Sequence, residues 1–225
     1  EPQQRGLAHF LEHMAFNGST HFKKHELVSY LQSMGLKFGA DLNAYTSSNE
    51  TVYILPLPSV NPKDIAMGMQ VLEDWAHGLT LNTADIDAER AIVIEELRLR
   101  KGVQDRMQQK LIPKLLQGSK YAERLPIGNE HDLRTFNPDA VRRFYKDWYR
   151  PELMAVVAVG DFDAAAMEAL IKKHFEPLKN PINPRPLPVL DIPVRTQTDT
   201  LVLTDSENPS ETVQAVYPVV RSPDS

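Results

Sequence analysis

Leu7-Ala8-His9-Phe10-Leu11-Glu12-His13-Met14-Ala15-Phe16, closed by Asn17-Gly18, is the stretch on which the reading of this chain turns. The run reads as a helix, and Asn17-Gly18 is its stop signal. Within it, His9-Phe10-Leu11-Glu12-His13 forms an H-x-x-E-H pattern. On a helix, His9 and His13 stand one turn apart on the same face. Both imidazoles can therefore reach one ion, as zinc sites with histidines four residues apart do. Glu12 adjoins the same face, beside the metal rather than necessarily on it. That position suits a general base for a metal-bound water, whose pKa the metal lowers to roughly 7. With 7 histidines in 225 residues, composition alone gives such a pattern about 0.01–0.02 times per chain, so it reads as chemistry rather than accident. The plainer alternative is a surface helix that carries two histidines and an acid and holds no metal.

A catalytic zinc with two histidines needs a third protein ligand and an open position. The chain has no cysteine. That excludes disulfides, thiolate ligands and a cysteine nucleophile, and leaves His, Asp and Glu as the ligand types. The acidic helical segment from Asp85 to Arg100 offers candidates. Glu89 and Glu96 are seven residues apart and share a face, whereas Glu95 points roughly 100° away from Glu96. The apolar run Ile92-Val93-Ile94 predicts that this helix is largely buried. A buried carboxylate needs a partner, either a metal or Arg90, Arg98 or Arg100 in a salt bridge.

Outward from these two helices, the chain mixes element types. Leu27, Leu31 and Met34 fall at helical spacing before Gly35. Leu36 to Thr46 and Thr51 to Leu57 read as strands joined by the polar turn Ser47-Ser48-Asn49. Asn61-Pro62 and Asn137-Pro138 each pair an N-cap with proline at the first helical position, predicting helices to about His77 and Trp148. Thr83 opens a helix to about Lys101. Gln104 to Gln117 reads as a helix interrupted at Pro113, Leu153 to Val159 as a buried strand, and Ala164 to Phe175 as a last helix. The unequal runs favour an α+β fold over a doubly wound sheet. Six of the 17 prolines lie within residues 177–193, which neither a helix nor a central strand accommodates, so this stretch reads as an extended linker. Beyond it stand two strand signals, Thr200–Thr204 and Thr212–Tyr217, too few for a stable domain.

The chain's 42% hydrophobic and 24% charged residues are ordinary for a globular protein and exclude wholesale disorder. The longest apolar run, Leu153 to Val159, is far shorter than the roughly 20 residues of a membrane helix. A net charge of −5, with 25 basic and 30 acidic residues, gives no electrostatic footprint for nucleic acid. Ser19-Thr20 and Ser47-Ser48 have no base beside them, so serine-hydrolase chemistry is unsupported. His21 and His25 read as solvent-exposed, and His77, His131 and His174 as structural or exposed. Trp75 and the cluster Phe144, Tyr145, Trp148 and Tyr149 read as core.

The segment from Gly6 to Ser19 resembles the zinc-helix signature of the inverzincin metallopeptidases, the pitrilysin/insulinase type (peptidase family M16). The resemblance extends along residues 5–176. Leu42-Asn43-Ala44-Tyr45-Thr46-Ser47 with Glu50-Thr51-Val52-Tyr53 resembles the family's strand pair beside the active site. Asp87-Ala88-Glu89-Arg90-Ala91-Ile92-Val93-Ile94-Glu95-Glu96 resembles the helix bearing the third ligand. Pro126-Ile127-Gly128 and Trp148-Tyr149-Arg150-Pro151 through Gly160-Asp161 are similar to later family segments. In flavour the resemblance is closest to bacterial zinc proteases of the processing-peptidase-like and PqqL-like branch.

The resemblance implies an α+β fold, mostly antiparallel sheet with helices packed on one face. It implies Zn²⁺ held by His9, His13 and Glu96, selecting Glu96 over Glu95, with Glu12 as the base. Glu89 becomes an acid behind the ligands, and Asn43 and Ala44 lie on a strand edge that pairs with substrate backbone. The implied activity is that of a zinc metalloendopeptidase acting on extended or unfolded peptides, in the periplasm or cell envelope of a bacterium. The implied organisation is a zinc-binding catalytic domain at 1–176 lacking its first strands, a proline-rich linker at 177–193, and the start of a truncated second domain of similar fold at 194–225. A second, similarly folded half, in the same chain or a partner subunit, closes over the site in the family. It brings an arginine and a tyrosine that nothing in residues 1–225 matches, so the isolated piece is expected to be weakly active or inactive. The alternative is a non-catalytic subunit of the same fold acting as a structural or partner-binding protein.

Overall fold

The computed structural model describes residues 4–33, 35, 43–58, 61–100, 102–188, 190–194 and 197–217. Among them the chain is mostly helical, with one small antiparallel sheet. The helices are α1 (Leu7–Met14), α2 (Glu26–Ser33), α3 (Pro62–His77), α4 (Thr83–Leu99), α5 (Val103–Leu115), α6 (Glu130–Thr135), α7 (Pro138–Trp148) and α8 (Ala164–Phe175). Strands β1 (Asn43–Thr46) and β2 (Thr51–Ile54) pair with Asn43 opposite Ile54 and Thr46 opposite Thr51.

Helix α1 is the centre of the molecule. Leu7, Phe10, Leu11, Met14 and Ala15 are all buried, so the helix is apolar on most of its surface and is packed on several sides, by α4, α7 and both strands. Its start depends on two glycines. Gly6 (φ 79°) and Gly128 (φ 74°) take left-handed backbone conformations. A Cβ on Gly6 would sit 2.9 Å from the Ile127 carbonyl oxygen, and one on Gly128 would sit 2.8 Å from the Gly6 Cα. Only glycine permits this approach, which seats the Pro126-Ile127-Gly128 turn against the head of α1.

The loop after α1 is fastened to α3 by a buried carboxylate. Asp74 accepts from the Ser19 hydroxyl at 2.5 Å and from the His21 backbone N–H at 3.0 Å, and its Oδ1 lies 2.7 Å from His21 Nδ1. The Trp75 indole N–H donates to the Ala15 carbonyl at 3.0 Å. These bonds satisfy groups that burial would otherwise leave costly, and they fix where α1 ends.

The expected caps hold: the Asn61 and Asn137 side chains accept from the N–H groups of Lys63 and Asp139, with Pro62 and Pro138 opening α3 and α7. Four expectations change. Helix α5 runs through Pro113, which stands two residues from its end, so little helix lies beyond the bond the proline forfeits. Strand β2 stops at Ile54 rather than Leu57. Residues 154–159, 200–204 and 212–217 form no strand, since among the described residues no neighbour offers them a ladder, and Val157 and Val159 are exposed. Helix α4 buries only one face, with Val93 and Ile94 inward and Ile92 outward. Met34 and the part of the expected strand over 36–42 lie outside the described residues. The described part of 177–193 has no helix or strand, as its prolines require. Residues after it run along α5: Arg106 grips Asp205 through two bonds of 2.7 and 2.8 Å, and Lys114 pairs with Asp199 at 2.6 Å.

Candidate active site

Helices α1 and α4 cross in contact, which brings His9, His13 and Glu96 together. Glu96 Oε2 lies 3.6 Å from His9 Nε2 and 3.2 Å from His13 Nε2. These three are the one group of metal-capable side chains among the described residues, with ligand atoms all within 4.8 Å of one another. Bonds of roughly 2.0–2.1 Å at tetrahedral angles place ligand atoms about 3.3 Å apart, so the 3.2 Å edge of this triangle is close to the length a zinc ion imposes and the 3.6 Å edge is slightly wider.

The Glu89 contact of His13 and the burial of His9 favour ligation. His13 Nδ1 lies 2.9 Å from Glu89 Oε1, and the Asn17 amide donates to Glu89 Oε2 at 2.8 Å. Burial works to raise the Glu89 pKa, but the hydrogen bonds from His13 and Asn17 outweigh it and hold the carboxyl below its ordinary value. An ionised Glu89 can only accept, so Nδ1 carries the proton and Nε2 presents its lone pair. Burial lowers the His9 pKa to about 4, against the pull of Glu96, which keeps that ring neutral at pH 7. For His13 burial pushes the same way, yet Glu89, Glu96 and Glu12 together raise its pKa. Glu96 Oε2 is buried and accepts no hydrogen bond, while Oε1 takes the Arg100 guanidinium. Nε2 of each histidine and the unpaired Oε2 of Glu96 thus face a common point, and this donor set suits Zn²⁺.

The sequence left Glu96 between a metal and an arginine as partner. One oxygen takes the Arg100 guanidinium and the other faces the two histidines. Glu95 points outward to Arg98.

Glu12 is buried beside the histidines, and Thr46 Oγ1 donates to its Oε2 at 2.5 Å. Burial raises the Glu12 pKa, partly offset by the Thr46 hydroxyl. Asn43 and Ala44 lie on β1, whose other long edge carries no strand among the described residues. The Ala44 N–H is taken by the Asn43 side chain at 2.9 Å. Sequence reasoning missed Asn17 and Thr46. Asn17 reads as a helix stop and Thr46 as an ordinary strand residue, and nothing local shows that the chain later brings a carboxylate to each.

Two family profiles match the chain: insulinase (peptidase family M16) over residues 1–126, and the peptidase M16 inactive domain over 135–222. The zinc protease PQQL-like of Arabidopsis thaliana is 37% identical over 218 residues, covering 96% of this chain and 23% of that protein. The probable zinc protease PqqL of Escherichia coli (strain K12) is 37% identical over 178 residues, 79% of this chain and 19% of that protein. The chain therefore spans about a fifth of the length of these relatives. The crystal structure of the first half of the periplasmic protease PqqL from Escherichia coli superposes with a TM-score of 0.80 at 35% identity, over 87% of this chain and 42% of that one.

Proposed function

The chain belongs to the insulinase family, peptidase family M16, and from that premise we propose that it carries the zinc-binding half of a metalloendopeptidase that cleaves extended peptides. The observation that carries this reading is the meeting of His9 Nε2, His13 Nε2 and Glu96 Oε2 beside the buried carboxylate of Glu12. These three side chains would hold Zn²⁺, which supplies Lewis-acid polarisation of the scissile carbonyl and acidifies a water.

Glu12 accepts the proton of the attacking water and returns it to the leaving nitrogen. Its burial makes it a stronger base than an exposed carboxylate. Glu89 and Asn17 hold the His13 ring in the tautomer that leaves Nε2 free. The substrate backbone pairs with the open edge of β1 at Asn43 and Ala44, which requires an extended chain. Residues 1–176 form the zinc-binding unit, 177–193 the linker and 194–225 the beginning of the next unit. A second half of the same family type closes the site, and the solved relative described as a first half supports this. The same relative is described as periplasmic, and we place this protein in that compartment. No helix among the described residues is long and apolar enough to cross a membrane.

The test is Glu12→Gln. Hydrolysis of an unstructured peptide should fall by about 10²–10⁴ with bound zinc unchanged. Full activity in that variant would refute the base assignment. A wild-type protein purified without chelator, folded and free of zinc would instead favour the non-catalytic subunit.

A further inference from the structure

We propose that β1 couples the docking of an extended peptide to the position of Glu12, with the Thr46 hydroxyl as the coupling group. The inference rests on the reading above that Glu12 is the base and that β1 receives the substrate.

Strand β1 is four residues long. Its first two residues, Asn43 and Ala44, form the open edge, and its last, Thr46, touches the base. Side chains two apart on a strand share a face, so Ala44 and Thr46 lie on the same face of the hairpin. The Thr46 bond is the one hydrogen bond that the Glu12 carboxylate makes among the described residues. The terminal torsion of a glutamate is soft and roughly two-fold. A single donor on Oε2 therefore decides which way the carboxylate plane lies and leaves Oε1 for the reacting water.

Thr46 is itself held from behind. Its hydroxyl lies 3.3 Å from that of Thr51, its partner in the register. On β2, the Tyr53 hydroxyl meets that of Tyr149 at 2.7 Å. The turn is braced as well, with the Ser47 N–H on the Glu50 carbonyl at 2.8 Å. The Thr51 hydroxyl, the pairing with β2 and the turn fix one end and one side of β1. The remaining freedom is at the open edge, where a paired peptide would add backbone bonds and replace the Asn43 side chain on the Ala44 N–H. Pairing there stiffens the strand that ends in Thr46, and so sets the donor that orients Glu12. A peptide too short to pair would leave that donor less well placed, and misplacement by about 1 Å costs on the order of 10²-fold in rate.

The experiment compares Thr46→Val, which keeps the shape and loses the hydroxyl, with Thr46→Ser, which keeps the hydroxyl. Both are measured in the zinc-loaded protein on unstructured quenched peptides of increasing length. Thr46→Val should lower kcat about 10- to 100-fold, with KM within about 2-fold and zinc content unchanged. Thr46→Ser should recover kcat to within about 3-fold. Lengthening the peptide should raise kcat in the wild type and not in Thr46→Val. A readout independent of turnover is the carboxyl ¹³C resonance of Glu12, assigned by its absence in Glu12→Gln. It should shift when peptide is added to the wild type and stay fixed in Thr46→Val. Wild-type kcat in Thr46→Val, equal length dependence in the two proteins, or a resonance that ignores peptide in the wild type each overturns the coupling. Failure of the base assignment shows up separately, as activity retained in Glu12→Gln.

Discussion

His13 Nδ1 meets Glu89 Oε1 at 2.9 Å, across 76 residues of sequence. The contact joins the two helices that supply the metal-capable side chains, and it fixes which ring nitrogen of His13 is free. Glu89 lies one α4 face away from solvent and has its second oxygen on Asn17, so both of its acceptors serve α1 or its stop.

A carboxylate behind a metal-bound histidine orients the ring and raises its basicity. Glu89→Ala should therefore weaken zinc binding about 10- to 100-fold, read by competition with a chromogenic chelator at fixed pH. The helical circular dichroism, as the control for folding, should change little. Zinc affinity equal to the wild type would show that the Glu89 contact is structural only.

The ligand set makes a sharper forecast. His13→Ala and Glu96→Ala each remove one of the three converging atoms and should leave less than about a tenth of the protein zinc-bound at micromolar zinc. Glu95→Ala should keep one zinc per chain, since that side chain is exposed beside Arg98. Metal analysis after gel filtration distinguishes the cases. Zinc lost in Glu95→Ala and kept in Glu96→Ala would mean that α4 presents the other carboxylate.

Much of this site was legible in the sequence because it is local. The positions of His9, Glu12 and His13 follow from one helical turn, and the caps of α3 and α7 follow from Asn-Pro pairs that act on their own backbone. Glu89 and Glu96 were legible as a shared face, again a matter of helical period. What was not legible is what distant chain brings. Thr46 and Asn17 acquire their roles only when β1 and α4 fold onto α1, and no spacing rule reports that. The strand expected over Leu153–Val159 failed for a related reason. Val156, Val157 and Val159 favour a β backbone, yet a strand exists only with a neighbour to bond, and among the described residues none pairs with it.

The tyrosines behind β2 predict an alkaline limit to stability. Burial pushes the Tyr149 hydroxyl up from 10.0 to about 12, and burial also raises Tyr53 and Tyr145. A phenol whose folded pKa is raised stabilises the fold fully below the unfolded value, and that contribution is lost as pH climbs through the folded value. For Tyr149 the loss amounts to about 1–3 kcal/mol by pH 12, or about 2–10 °C in Tm for a chain of this size. Tyr149→Phe removes one titrating group and also the bond to Tyr53. Its Tm should lie about 2–4 °C below the wild type at pH 8, for a hydrogen bond worth about 1 kcal/mol. Between pH 10 and 12 its decline should be the shallower of the two, so the gap narrows. Curves that fall in parallel over that range would show that Tyr149 does not resist ionisation in the fold, and that its pair with Tyr53 is wetter than its burial implies.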